Sequence, residues 1–146
     1  MKRIKLVALV LSSILLAACS GSAAPTPMGE VIGQEVPVSG GKYTNVSVAE
    51  LQTMLDEKDF VFVNVHIPFE GDIPNTDLFV PFDEIEANLT QLPADKSAKI
   101  VLYCRSGSMS SIAAKDLVSQ GYTNIWNLAG GFNAWKAAGL PMERSN

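Results

Sequence analysis

One short segment of the chain places a thiol among small polar residues, in the order Cys104-Arg105-Ser106-Gly107-Ser108-Met109-Ser110-Ser111. Short side chains let main-chain N–H groups point inward, and Gly107 permits a positive φ. Ser110 or Ser111 is expected to cap the helix that follows. Successive N–H groups at a helix N-terminus bind anions, and the same field favours a thiolate over a thiol. The segment predicts a nucleophilic Cys104, against the alternative of an ordinary turn with an inert cysteine.

A second group of polar residues begins near the end of the mostly apolar run at 60–65 and continues into the loop after it. Asn64 can donate and accept hydrogen bonds. His66, the only histidine of the chain, is either a proton carrier or weak cation near the site, or a structural residue at the end of a strand. Glu70 and Asp72 lie in the next loop, near the expected entrance, where the alternative is a solvated acidic loop.

The elements that must position these residues alternate between strand and helix. A capping box at Ser47 and Glu50 predicts a helix start. Apolar β-rich runs predict strands at 43–46, 60–65, 78–80, 99–103 and 124–128. Helical periodicity and end signals predict further helices at 83–89, 110–120 and 131–138. Asp83 and Glu86 have capping-box spacing, and Phe132 and Trp135 are expected to face the sheet as core.

This alternation predicts an α/β fold with a mostly parallel sheet and helices on both faces. Ligands of such sheets bind beyond the carboxyl ends of the strands. Cys104 stands at the carboxyl end of the strand at 99–103 and just before a helix. The predicted fold therefore places the thiol where ligands bind.

The first residues have the parts of an export signal. Three cations lie within the first five residues, an apolar run extends from 6 to 16, and Leu16-Ala17-Ala18-Cys19 follows. The run is too short for a spanning helix, which needs about 20 apolar residues. The Leu-Ala-Ala-Cys box resembles the bacterial lipoprotein signal, which implies a signal peptide at 1–18 and a lipid on Cys19. Acyl chains would hold the protein at a membrane surface.

Composition bounds the partners and the redox chemistry. Removal of Lys2, Arg3 and Lys5 with the signal takes the eleven basic residues to eight against fifteen acidic ones, so the net charge moves from −4 to −7. No basic patch is present, which argues against nucleic acid. Of the two cysteines, lipidation of Cys19 would leave Cys104 as a lone thiol outside the cytoplasm, where it is exposed to oxidation.

Residues 19–41 contain Gly, Ser, Ala and Pro without an amphipathic period. We interpret them as the lipidated cysteine and a flexible tether. Part of the segment 31–38 has the alternative of packing on the domain as an edge segment. The folded domain is predicted at 42–142, and residues 143–146 form a tail.

The motif Cys104-Arg105-Ser106-Gly107 resembles the active-site loop of single-domain rhodaneses. The resemblance continues through Gly121-Tyr122, Asn127-Leu128, Gly130-Gly131-Phe132, Ala134-Trp135 and Gly139-Leu140-Pro141. A weaker match covers 64–81, so the resemblance spans about residues 42 to 142. It implies a three-layer fold with a five-stranded parallel sheet flanked by helices on both faces.

The resemblance also implies sulfur transfer. Cys104 would take sulfur from a donor such as thiosulfate, mercaptopyruvate or polysulfide, attacking the outer sulfur in the case of thiosulfate. The resulting persulfide would pass its sulfur to cyanide or a thiol. No metal or organic cofactor is implied. The loop would bind substrate through Arg105, Ser106, Gly107, Ser108, Met109 and Ser110.

The chain departs from the family in two places. Many relatives that use thiosulfate have a second arginine where this chain has Met109, so one cation for a dianionic donor is missing. The family tends to have Asp-Val-Arg where this chain has Asn64-Val65-His66. Thiosulfate is therefore in doubt as the donor, and Asn64 and His66 are accessory candidates.

Two other functions compete with sulfur transfer. A phosphatase or arsenate reductase needs an arginine six residues after the cysteine, where this chain has Ser110, and Tyr103 rather than histidine precedes the cysteine. The stronger rival is a non-catalytic module at the membrane that senses persulfides or binds a partner.

The expected location is the cell envelope, on the outer membrane facing the periplasm if the bacterium has two membranes.

Overall fold

The computed structural model describes residues 33–143. The predicted signal peptide, the lipidation site Cys19 and most of the tail lie outside these residues. No helix within the described part is long and apolar enough to cross a membrane.

A six-stranded mixed sheet forms the centre of the domain, in the order β1-β2-β6-β5-β3-β4. All pairs are parallel except β1 with β2, which run antiparallel. The strands are β1 Gln34–Val38, β2 Gly41–Val46, β3 Val61–Asn64, β4 Leu78–Phe79, β5 Ile100–Tyr103 and β6 Ile125–Leu128. The predicted α/β class and mostly parallel sheet are confirmed.

The sixth strand corrects the expected sheet of five parallel strands. β1 pairs with β2 as a hairpin, with Val36 opposite Tyr43 and a turn at Gly40. Val36 and Val38 pack against the core. The tether interpretation of residues 19–41 is therefore wrong for 34–38, because apolar residues that alternate along this segment can cover the sheet edge. The edge-segment alternative describes this part correctly.

Helices cover both faces of the sheet. They are α1 Val48–Asp56, α2 Ser108–Ser119 and α3 Gly131–Ala137. Side chains of α1 and α3, among them Leu51 and Trp135, pack in one apolar core. Side chains of α2, including Leu117, pack in the other. The predicted capping box is confirmed, since the Ser47 side chain accepts from the Glu50 N–H and the Glu50 carboxylate accepts from the Ser47 N–H.

The helix predicted at 83–89 is replaced by two 3-10 turns, Phe82–Glu84 and Glu86–Gln91. Pro81 occupies the cap position and no side chain caps the turn, so the spacing of Asp83 and Glu86 was misleading. Asn88 leaves the helical region (φ −112°, ψ 22°), and its side-chain amide donates to the carbonyl of Glu84 at 2.8 Å. Such local bonds compete with a regular helix.

Candidate active site

The chain turns from β5 into α2 through a loop that begins at Cys104. β5 ends at Tyr103 and α2 begins at Ser108, two residues earlier than the sequence predicts. Gly107 caps the helix with φ 91° and ψ −9°. Capping by Ser110 or Ser111 was therefore wrong: both serines lie inside the helix, because a glycine that tolerates the left-handed region lets the helix start sooner.

Two donors reach the Cys104 sulfur. The main-chain N–H of Gly107 donates to Sγ at 3.1 Å, and the Ser110 hydroxyl lies 3.5 Å from Sγ. Ser110 is fully buried and Cys104 is 1% exposed. The sulfur thus sits beneath the first turn of α2 with polar partners, although the residue also belongs to the apolar core on that side. Both groups can donate a hydrogen bond to a negatively charged sulfur.

Further main-chain donors surround this position. Within residues 33–143, no protein atom accepts a hydrogen bond from the N–H groups of Arg105, Ser106, Ser108 and Met109. The first N–H groups of a helix have no partner within the helix and are free to bind an anion. We call the N–H groups of residues 105–109 the anion cradle.

The N-terminus of α3 fixes the start of the loop. The N–H of Phe132 donates to the Cys104 carbonyl at 2.9 Å, and the N–H of Asn133 donates to the Arg105 carbonyl at 3.0 Å. Gly131 makes this approach possible, because a Cβ at this residue would lie 2.1 Å from the Cys104 carbonyl oxygen. Sequence reasoning used the two glycines at 130–131 only as a family motif and missed this role; a glycine pair before a helix is a signal of close backbone approach.

Cys104 contributes to the wall of an open cleft of about 350 Å³. The cleft is lined by two segments, the loop at the start of α2 and the loop after β3, through His66, Ile67, Pro68, Glu70, Cys104, Arg105, Ser106, Ser108 and Met109. The structure thus brings most of the predicted site residues to one cleft. Gly107 and Ser110 contact the sulfur without being part of the lining, and Asn64 is not part of the lining either.

His66 forms part of the cleft wall but is itself buried, at 4% exposure. Its Nε2 lies 3.2 Å from Glu70 Oε1, and its ring packs edge-on against Phe132 with 5.3 Å between centroids. No protein atom among the described residues pairs with its buried Nδ1. These contacts are those of a structural residue, while the unpaired ring nitrogen keeps the proton-carrier hypothesis open.

Glu70 joins the two sides of the cleft mouth. The same Oε1 that meets His66 also lies 3.3 Å from Nη1 of Arg105. The hydrogen bond from His66 holds the pKa of the Glu70 carboxyl below its usual value, and the positive charges of Arg105 and Lys136 act in the same direction. The mouth therefore carries a carboxylate beside the only arginine of the loop, a pairing that the sequence spacing does not reveal.

Asn64 and Asp72 act behind the cleft. The Asn64 amide donates to Asp72 Oδ1 at 2.9 Å and to the Gly71 carbonyl at 3.1 Å, and its oxygen accepts from the His66 N–H at 3.0 Å. The Tyr103 hydroxyl lies 3.2 Å from Asp72 Oδ1 and accepts from the Ile73 N–H at 3.0 Å. Burial raises the pKa of the Tyr103 hydroxyl, which keeps it neutral. Asn64 holds the loop that carries His66 and Glu70 rather than contacting the cleft.

Fold and site together define a single α/β domain with a cysteine at the carboxyl end of a central parallel strand, beneath a helix N-terminus. The family described as Rhodanese-like domain matches residues 47–138. A protein named Sulfurtransferase from Allochromatium vinosum is 37% identical over 94 residues, which cover 62% of this chain and 85% of the relative. The chain belongs to the rhodanese-like family.

Two further relatives agree with this membership. The Thiosulfate sulfurtransferase GlpE of Pseudoalteromonas translucida is 30% identical over 101 residues, which cover 66% of this chain and 91% of the relative. The crystal structure of a rhodanese-like domain protein from Staphylococcus aureus is 29% identical, with a TM-score of 0.59 over 70% of this chain and 98% of that chain.

Proposed function

We propose that this protein is a sulfurtransferase that carries sulfane sulfur on Cys104. The Cys104 thiolate attacks the sulfur that the donor gives up, and a bond forms between Sγ and that sulfur. In thiosulfate and polysulfide the S–S bond breaks. In mercaptopyruvate the C–S bond breaks, and its electron pair leaves with pyruvate as the enolate, which then takes up a proton. With thiosulfate, the bonding electron pair leaves with sulfite. An acceptor thiolate or cyanide then attacks the outer sulfur of the persulfide, and the electron pair of the broken bond returns to Sγ.

The observation that carries this proposal is the placement of Sγ. A main-chain N–H and a hydroxyl lie 3.1 and 3.5 Å from the sulfur, and Cys104 lines an open cleft. A cysteine that only fills space in the core would require neither hydrogen-bond donors at Sγ nor a position beside an open cleft. The anion cradle adds N–H groups that can hold the outer sulfur of the persulfide or the oxyanion of a donor.

The transfer runs through two half-reactions, so we expect ping-pong kinetics. Turnover with cyanide is measured at several fixed acceptor concentrations, with thiosulfate, mercaptopyruvate and polysulfide each as donor. Parallel double-reciprocal lines for at least one donor are the expected result. Lines that intersect to the left of the axis would mean that both substrates bind before any sulfur moves, and would contradict a persulfide intermediate.

Met109 contributes to the choice of donor. It is half-buried, lines the cleft and packs against the core, and it offers no charge to a dianion. We expect Met109→Arg to raise kcat/KM for thiosulfate about tenfold, since a charge-assisted hydrogen bond is worth about 1.5–3 kcal/mol where the geometry is good. Met109→Leu is the matched control and should leave the thiosulfate value within about twofold. Equal values for the two variants would show that the missing cation does not limit the use of thiosulfate.

The binding module remains the rival function, and the Arg105–Glu70 pair favours it in one respect, because the pair occupies a side chain that could otherwise attract a donor. Failure of every donor to load Cys104 would favour that function.

A lipid on Cys19 and a location at the cell envelope remain predictions, which rest on the sequence of residues 1–19.

A further inference from the structure

The mouth of the cleft holds several charged or titratable side chains that the transfer chemistry does not use. Glu70 lies between His66 and Arg105, at 3.2 and 3.3 Å from its Oε1. Lys136 of α3 also acts on this carboxylate, with its ammonium over the ring of Phe132. Met109 faces the same cleft without a charge.

The carboxylate changes what these cations can do. Arg105 is the cation of the loop that carries the anion cradle, and its side chain is more than half exposed. Paired with Glu70, it presents a hydrogen-bonded ion pair rather than a free positive charge to an incoming anion. Because the attacking group is itself a thiolate, each additional negative charge on the donor adds repulsion, and the Arg105–Glu70 ion pair offsets less of this repulsion than a free arginine would.

We propose that Glu70 sets the charge class of the donor, so that the site favours sulfane sulfur donors with at most one negative charge over dianionic thiosulfate. This inference rests on the proposed sulfurtransferase function. A monoanionic thiosulfonate, R–SO2–S⁻, satisfies the same chemistry. Sγ bonds to its outer sulfur, the S–S bond breaks, and the electron pair leaves with the sulfinate R–SO2⁻.

Methanethiosulfonate and thiosulfate form a matched pair of probes, because a methyl group in the first replaces a charged oxygen in the second. Each is used as donor with cyanide as acceptor. Glu70→Gln keeps the size and hydrogen-bonding capacity of the side chain and removes its charge. Glu57→Gln is the control. Glu57 is an exposed carboxylate at the C-terminal end of α1, in the segment that leads into β3, whereas Glu70 lies in the loop that follows β3 and lines the cleft.

The electrostatic role predicts a fixed relation between the two probes. The energy of an ion in a field is proportional to its charge, so the gain for the dianion should be the square of the gain for the monoanion. We expect Glu70→Gln to raise kcat/KM about twofold for methanethiosulfonate and about fourfold for thiosulfate. Factors of this size are expected when one unit charge is removed from a site that is open to solvent. The thiosulfate value should also fall more steeply with added salt in the variant than in the wild type.

The possible outcomes distinguish the role of Glu70 from the sulfurtransferase function on which that role depends. If both probes yield thiocyanate but Glu70→Gln changes them equally, or matches Glu57→Gln, the charge role of Glu70 is wrong and the sulfurtransferase stands. A loss of activity with both probes would assign Glu70 a structural role and overturn the inference. If the wild type takes sulfur from neither probe nor from mercaptopyruvate or polysulfide, the proposed function fails and the inference fails with it.

Discussion

Cys104→Ser should lose sulfur transfer by at least about a thousandfold in kcat/KM with any donor that the wild type uses, as the loss of a covalent nucleophile does in other enzymes. A serine hydroxyl is a weak nucleophile without an adjacent base. The two groups that contact Sγ, the Gly107 N–H and the Ser110 hydroxyl, offer hydrogen bonds but no base. The measurement is steady-state turnover with cyanide as acceptor.

The same variant should remain folded. Oγ can accept from Gly107 as Sγ does, and the site needs no new volume, so we expect a change in the free energy of unfolding within about 1.5 kcal/mol. Denaturant unfolding of the two proteins supplies this control. Turnover that survives in a folded Cys104→Ser protein would show that another group carries the sulfur.

Gly131→Ala should destabilise the domain and misplace the reactive loop. A Cβ at residue 131 would meet the Cys104 carbonyl oxygen at 2.1 Å and the Arg105 carbonyl carbon at 2.7 Å. Both contacts are with backbone, so the loop or the start of α3 must move. We expect a loss of about 2–4 kcal/mol in the free energy of unfolding, and about a hundredfold loss in kcat/KM from displacement of the thiolate relative to the cradle.

Gly139→Ala provides the matched control. Gly139 also has a positive φ, 79°, compared with 56° at Gly131, but nothing lies within 4 Å of where its Cβ would be. The left-handed conformation alone should cost about 1 kcal/mol, with kcat/KM unchanged within about twofold. Equal losses of stability and activity in the two alanine variants would contradict the role given to the contact between α3 and the loop.

Much of the fold could be predicted because its local signals agree with one another. The capping box at Ser47, the apolar runs of β3 and β5, and the periodicity of α2 each match the observed element. Phe132 and Trp135 are buried as expected, at 1% and 4% exposure. The position of Cys104 followed from a general property of parallel sheets, that ligand sites lie beyond the carboxyl ends of the strands.

Other features depend on strand pairing or on local backbone geometry that the pattern of apolar and polar residues does not reveal. β1 is stable because β2 is beside it, and a glycine- and proline-rich segment alone suggests a tether. The turns at 82–91 depend on the side-chain bond of Asn88 to the chain. The start of α2 is set by Gly107, whose positive φ was expected but not its capping role.

The arrangement of charges at the site was the feature that could least be predicted from the sequence. Glu70 and Arg105 are 35 residues apart in the chain, and their ion pair exists only once the loop after β3 folds against the loop after β5. The role of Asn64 could not be predicted either, because an amide at the end of a strand can bind a substrate or can hold a neighbouring loop in place. Its bonds to Gly71, Asp72 and His66 assign it to the scaffold.

The most direct test of the account is the mass of the protein after a single exposure to donor. The purified domain is incubated with excess thiosulfate, methanethiosulfonate, mercaptopyruvate or polysulfide, freed of donor, and its intact mass and peptide masses are measured. We expect the peptide that contains Cys104 to gain one sulfur atom and to lose it on addition of cyanide. An unchanged mass with all four donors, or a sulfur that cyanide does not remove, would contradict the role of Cys104 as the sulfur carrier.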